Sequence, residues 1–260
     1  MENIDFIDWF YQQLCISDTA LLNARVYKKQ FLDNSALSIL DKKSINEDIE
    51  AIEWRYTLKP STFAIPKYED NELEYIEVAL LHIILKTDVH IKRLSEVIQC
   101  AIPYPLIIVF ESNSRLWVSL AEKRINRADS TKLTVDQFFN SGWMNKEVFK
   151  NSVIYAQFLE SLNFKKQTQE NLYSFYKSLI IRFNALDAAR YTGEYRLTTD
   201  FEADKRRQEN LQALKQLELH LVNLKAHVKN ETQFNLKLEG NVQIKQIKQQ
   251  IQHITTKLSA

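Results

Sequence analysis

Two matched rows of apolar residues near the end of the chain limit its fold more than any other feature. Leu214, Leu217, Leu221, Leu224 and Val228 fall at alternating steps of three and four, and Ile244, Ile247, Ile251, Ile254 and Leu258 repeat the pattern. That spacing lines one face of an α-helix and makes a coiled-coil seam. Helices of about 17 to 25 residues, or about 25 to 37 Å at 1.5 Å per residue, are marginal alone in water. The seams must therefore bury each other or a partner. The polar break from Asn230 to Gly240 is long enough to reverse the chain. We therefore expect an antiparallel helical hairpin over 201–260, with Leu217, Leu221 and Leu224 facing Ile247, Ile251 and Ile254. The same six residues are the expected contact for a protein partner.

Upstream, the patterns alternate between helix and strand. Ile4, Ile7, Phe10, Tyr11 and Leu14 have the spacing of an amphipathic helix, and Ser44 with Glu47 has capping-box spacing for a second one over 44–52. A strand follows, because Trp54, Tyr56 and Leu58 alternate with Glu53, Arg55 and Thr57 until Pro60 closes the run. The more continuously apolar YIEVALLHIILK is expected to be a central strand covered on both faces. Ile91, Leu94, Ile98 and Ile102 predict a helix stopped by Pro103 and Pro105. LIIVFES and RLWVSLAEKR then read as a strand pair joined at Ser112, Asn113 and Ser114. Residues 126–150 read as a polar connection that docks FFNSGWM, and Leu172, Phe175, Leu179, Phe183 and Leu186 stripe a further helix. The order implies an α+β body, with a mixed sheet of at least four strands covered on one face by helices. The expected divisions are 1–150 for the body, 151–200 for a helical connection packed on it, and 201–260 for the hairpin.

Composition removes several function classes. The chain of 260 residues has 3 glycines, Gly142, Gly193 and Gly240, all isolated, so neither a P-loop nor a dinucleotide fingerprint can be built. Cys15 and Cys100 lack the spacing of a zinc knuckle or a disulfide framework and are expected to be buried free thiols. His82, His90, His220, His227 and His253 form no HExxH pair, and His82, inside an apolar strand, is expected to be a satisfied core histidine. No cofactor is expected. The acidic start and the lack of a long apolar run argue for a cytoplasmic protein without a membrane span.

No complete catalytic set is visible. The helix and strand order invites comparison with metal-dependent nucleases, in which strand carboxylates hold Mg²⁺ and a nearby lysine orients water. Glu50, Glu53, Glu77 and Lys86 are the candidates for that alternative, although Ala79 stands where the lysine is wanted. A second alternative is direct DNA binding. Residues 201–260 hold ten Lys and Arg against six Asp and Glu, and Arg190, Arg196, Lys205, Arg206 and Arg207 cluster just before and at the start of the seams.

Five stretches together resemble one bacterial family: RVYKKQF, IEAIEWRYTLKPSTFAI, RLSEVIQCAIPYPLIIVF, ALDAARYTGEYRL and ETQFNLKLEGNVQIKQIKQQI. The chain is similar through most of its length to the family called domain of unknown function 4391. The resemblance implies a protein encoded beside helicases and DNA methyltransferases in restriction-like or antiphage clusters, and it carries over no catalytic residue. The favoured expectation is an accessory or structural subunit of a DNA-processing assembly, which binds such a partner through its helical tail.

Overall fold

A computed structural model describes residues 5–33, 37–125, 133–198 and 201–259. It divides into two compact units, residues 1–183 and 184–260. In chain order the first unit contains α1 (Phe6–Leu14), β1 (Leu21–Arg25), α2 (Lys29–Leu32), α3 (Ile39–Asp48), β2 (Ile49–Leu58) and α4 (Pro60–Phe63). There follow β3 (Tyr68–Glu69), β4 (Glu74–Tyr75), β5 (Val78–Leu85), α5 (Ile91–Ala101), β6 (Leu106–Ser112), β7 (Arg115–Ile125) and β8 (Leu133–Met144). Two shorter helices, α6 (Lys146–Asn151) and α7 (Val153–Ser161), lead to α8 (Leu172–Thr192), which runs on into the second unit.

Among the described residues the main sheet has six strands in the order β1-β2-β5-β6-β7-β8, of which only β5 and β6 run parallel, and β3 and β4 form a separate antiparallel pair. That parallel pair needs a crossover, which α5 supplies. Asn113 and Ser114, both at positive φ, make the two-residue turn between β6 and β7. Helices lie on both faces of the sheet, rather than on the one expected. On one face Ala79, Leu81, Ile83 and Leu85 of β5 pack with Ile45 of α3 and with Leu94 and Ile98 of α5. On the other, Tyr11 of α1 meets His82 edge-on, and the buried Tyr176 of α8 donates a hydrogen bond to the Leu106 carbonyl and accepts one from the Ala121 amide. This double cover explains why β5 is apolar along its length except at His82.

Other expectations need correcting. The second helix begins at Ile39 rather than near Ser44, and its cap is Ser38. Asp41 completes the capping box and also takes a two-pronged ion pair from Arg93 of α5, at 2.7 and 2.8 Å. Arg93 holds the Asp41 carboxyl down at about 2. The strand then starts at Ile49. Within the connection expected over 126–150, residues 133–144 form β8, paired along β7, while 126–132 lie outside the described residues. Neither cysteine is buried: Cys15 is half-buried at the left-handed C-cap of α1, and Cys100 is exposed in the last turn of α5.

The second unit is the antiparallel hairpin of α9 (Phe201–Asn230) and α10 (Phe234–Ser259), joined to the end of α8. Tyr191 of α8 donates a hydrogen bond to Glu218 of α9, and Asp187 accepts one from Lys215. The break between the helices is three residues, 231–233, not the eleven expected. Gly240 lies inside α10 because the two helices cross there, where an added Cβ would overlap Val228 Cγ2. Alanine would gain about 1 kcal/mol of helix propensity, but valine is stiff at χ1 and cannot swing away. Gly240→Ala should therefore cost a net 1 to 3 kcal/mol, roughly the penalty of overpacking, measured as a lower denaturant midpoint for loss of helicity. Adding Val228→Ala should restore most of it. A fully stable single variant would mean that the helices do not cross at this pair.

Candidate functional site

The four nuclease candidates do not converge. Glu50 is exposed at the start of β2, and Lys86, also exposed, follows the end of β5. Burial lowers the pKa of the neighbouring Lys28, Lys86 adds to that effect, and Glu50 opposes it. Glu77 precedes the far end of β5, half-buried, with its pKa raised by burial and pulled back by Lys59. Nine residue steps at about 3.3 Å each put roughly 30 Å between Glu77 and Lys86. Those two cannot share one ion. Among the described residues, no group of three or more His, Cys, Asp and Glu has the arrangement to hold a metal.

Glu53 belongs to a different cluster. It pairs across the sheet with His82, whose Nδ1 lies 3.9 Å from its carboxylate, while His82 Nε2 is 2.9 Å from Glu111 of β6. Arg55, two residues beyond Glu53, reaches Glu53 at 3.5 Å and Asp8 of α1 at 3.4 Å, with its guanidinium 4.3 Å from the Tyr11 ring centroid. His82 is only 5% exposed, and burial raises the Tyr11 pKa well above its ordinary value, against the pull of Arg55. Period-two alternation places one polar residue on each of three neighbouring strands, and α1 covers them. The result is an ion network that ties α1 to the sheet, with an imidazole sealed from substrates. The core-histidine expectation matches this placement.

The six seam residues lie in the second unit, between its helices. Stepping antiparallel from the Val228 and Gly240 contact, Leu224 falls opposite Ile244, Leu221 opposite Ile247, Leu217 opposite Ile251 and Leu214 opposite Ile254. Leu211, Leu214, Val228 and Ile247 are buried, and Leu217, Leu221, Leu224, Ile251 and Ile254 are half-buried. The seam is thus spent on the hairpin itself. What the hairpin shows to solvent is a second apolar set that the heptad pattern does not include: Leu219 and Val222 on α9, both 63% exposed, and Phe234, Leu238 and Val242 on α10, at 77, 56 and 51%.

Of the five basic candidates, three come together. Arg196, Arg206 and Arg207 line a cavity of about 510 Å³ with Lys257, Asn210 and Thr198. Arg190 instead pairs with Asp187 at 2.7 Å, and Lys205 is exposed on α9. Lys257, 61 positions after Arg196, has no local signal in the sequence. Only the antiparallel register, which returns the last turn of α10 to the first turns of α9, could have pointed to it. Arg196 is held by Glu194 and by the Ser259 carbonyl, at 3.1 Å from the latter. Arg207 is half-buried, and burial lowers its pKa while Asp204 works against that. The arrangement can take an anion.

No described helix is long and apolar enough to cross a membrane. Comparison with curated proteins and with solved structures found no match. The sequence profile of one family matches residues 14–251, nearly the whole chain and both units, and the protein therefore belongs to the family described as Domain of unknown function (DUF4391).

Proposed function

We propose that the chain is a cytoplasmic accessory subunit of a DNA-processing assembly of the restriction-like or antiphage-defence kind, and that it meets a helicase or DNA methyltransferase through the outer faces of its hairpin. The observation that carries this reading is the set Leu219, Val222, Phe234, Leu238 and Val242, apolar and exposed although the seam of the same two helices is already satisfied. A hairpin that only needed to fold would gain nothing from such side chains in water, each of which loses roughly 1.5 to 3 kcal/mol relative to full burial. Large exposed apolar side chains grouped on one hairpin mark interaction surfaces.

Val222→Asp with Leu238→Asp tests it. Co-expressed with a helicase or methyltransferase from the same gene neighbourhood, the unaltered chain should co-purify in a fixed ratio. The double variant should keep its helicity and lose the partner by at least roughly tenfold, since 1.4 kcal/mol is already a factor of ten. Undiminished co-purification of the variant would sink the hairpin as the contact.

A further inference from the structure

We propose that the cavity at the open end of the hairpin is a phosphate-binding pocket, and that the phosphate it takes belongs to a nucleic-acid strand; the second half rests on the DNA-processing role proposed above. The pocket is built by three stretches far apart in sequence. Arg196 comes from the segment after α8, Arg206 and Arg207 from the second turn of α9, and Lys257 from the last turn of α10. A smaller cavity of about 70 Å³ adjoins it, sharing Arg196, Arg207, Leu258 and Ser259.

Two of the residues that line the pocket carry an unanswered donor. Arg207 Nη1 and Thr198 Oγ1 are shut off from solvent and have no hydrogen-bond partner among the described residues. A guanidinium N–H that is shut off from water and unanswered is costly, because each lost bond to a charged group is worth about 1.5 to 3 kcal/mol. Glu194 pairs with Arg196, and Asp204, which accepts a bond of 2.9 Å from Asn184, acts on Arg207 through its charge; neither carboxylate answers Nη1. A ligand that meets Nη1 therefore has neither carboxylate to displace from it.

The chemistry selects phosphate over a carboxylate. A carboxylate is planar and satisfied by a single guanidinium fork, whereas the donors here come from three separate stretches of chain around a space large enough for a tetrahedral oxyanion and what it is attached to. Ala203, in the first turn of the 30-residue α9, also lines the cavity, so the positive end of a long helix dipole adds to the field. Lys205 is exposed on the same turns of α9, where it can follow a backbone leaving the pocket.

The test titrates the full-length chain with inorganic phosphate and, separately, with a short single-stranded DNA oligonucleotide. Both should bind, the oligonucleotide roughly tenfold more tightly because a strand makes additional phosphate contacts. Arg207→Gln and Lys257→Gln should each weaken both by roughly tenfold, the value of one charge-assisted bond, while Lys229→Gln, near the opposite end of the hairpin, should change neither. Lys257 is exposed, so its variant keeps the test decisive if Arg207→Gln loses helicity. Equal affinity for phosphate and oligonucleotide would assign the pocket to a free anion and overturn the strand. Absence of phosphate binding, or binding indifferent to both substitutions, would overturn the pocket. No partner protein enters this titration, so its failure and a failed co-purification are separate results.

Discussion

Aspartate at both Leu221 and Ile251 should unfold the hairpin while leaving the sheet intact. Each side chain is half-buried between α9 and α10, on neighbouring rungs of the seam. Removing two such residues forfeits about half of the roughly 1.5 to 3 kcal/mol that full burial of each is worth. Placing two carboxylates in the same apolar strip adds several kcal/mol more, because neither has a partner. Long helices of this kind draw most of their stability from packing, so that loss exceeds what propensity can hold. Limited proteolysis should then cut within 201–259, where the unaltered chain resists, and circular dichroism should lose helix signal in proportion. The outer pair Val222→Asp and Leu238→Asp should leave both measurements unchanged, since those side chains already face water. Equal protease resistance in the seam variant would mean that the seam is not what holds the two helices together.

The seam is legible in the sequence because its period is sustained over five residues in each helix, and the polar break between the two rows lets them meet in one hairpin. The position of the turn is not, for a physical reason. Gly240 and the polar residues around it look like a helix stop, yet here the glycine makes room for Val228 of the facing helix, a tertiary fact with no local signature. Within the six-stranded sheet, the two strands that the pattern does not disclose, β1 and β8, are its edges. An edge strand is solvated along one side and has no need of a continuous apolar run. LLNAR is mostly exposed, and LTVDQFFNSGWM interleaves polar residues, with register shifts in its pairing to β7. The start of α3 is hidden because Ile39 and Leu40 are exposed and contribute no stripe, so Ser44 offers itself as a cap in place of Ser38. In the candidate sites, clustering along the chain is enough to find Arg196, Arg206 and Arg207. Lys257, Thr198 and the pairing of Glu53 with His82 and Glu111 depend on register between distant elements.

Raising the pH from 7 to 8.5 should stabilise the fold through Lys123. This lysine on β7 is almost fully buried, with its ammonium donating a hydrogen bond to the carbonyl of Ile102 at 2.8 Å and another to that of Tyr104. Both carbonyls lie just beyond the end of α5, where a helix leaves acceptors unsatisfied. Burial pushes its pKa down to about 7, against a small opposing pull from Cys100. The ordinary value is 10.5, so between the two values the unfolded chain binds more protons than the folded one. Stability must then rise with pH in that window, and the penalty is full and constant below it. For these values the gain from pH 7 to 8.5 comes to about 1.5 kcal/mol. The buried tyrosines act in the opposite sense only near pH 10, where the unfolded chain begins to ionise them. Lys123→Met keeps the length and apolar stem of the side chain and removes the titration. The stability difference between the unaltered chain and Lys123→Met, measured by denaturant titration at both pH values, should therefore shift by about 1.5 kcal/mol in favour of the unaltered chain at the higher pH. A difference that stays constant across the window would place the folded-state proton affinity of Lys123 at its ordinary value, and the amine would be charged throughout within the core.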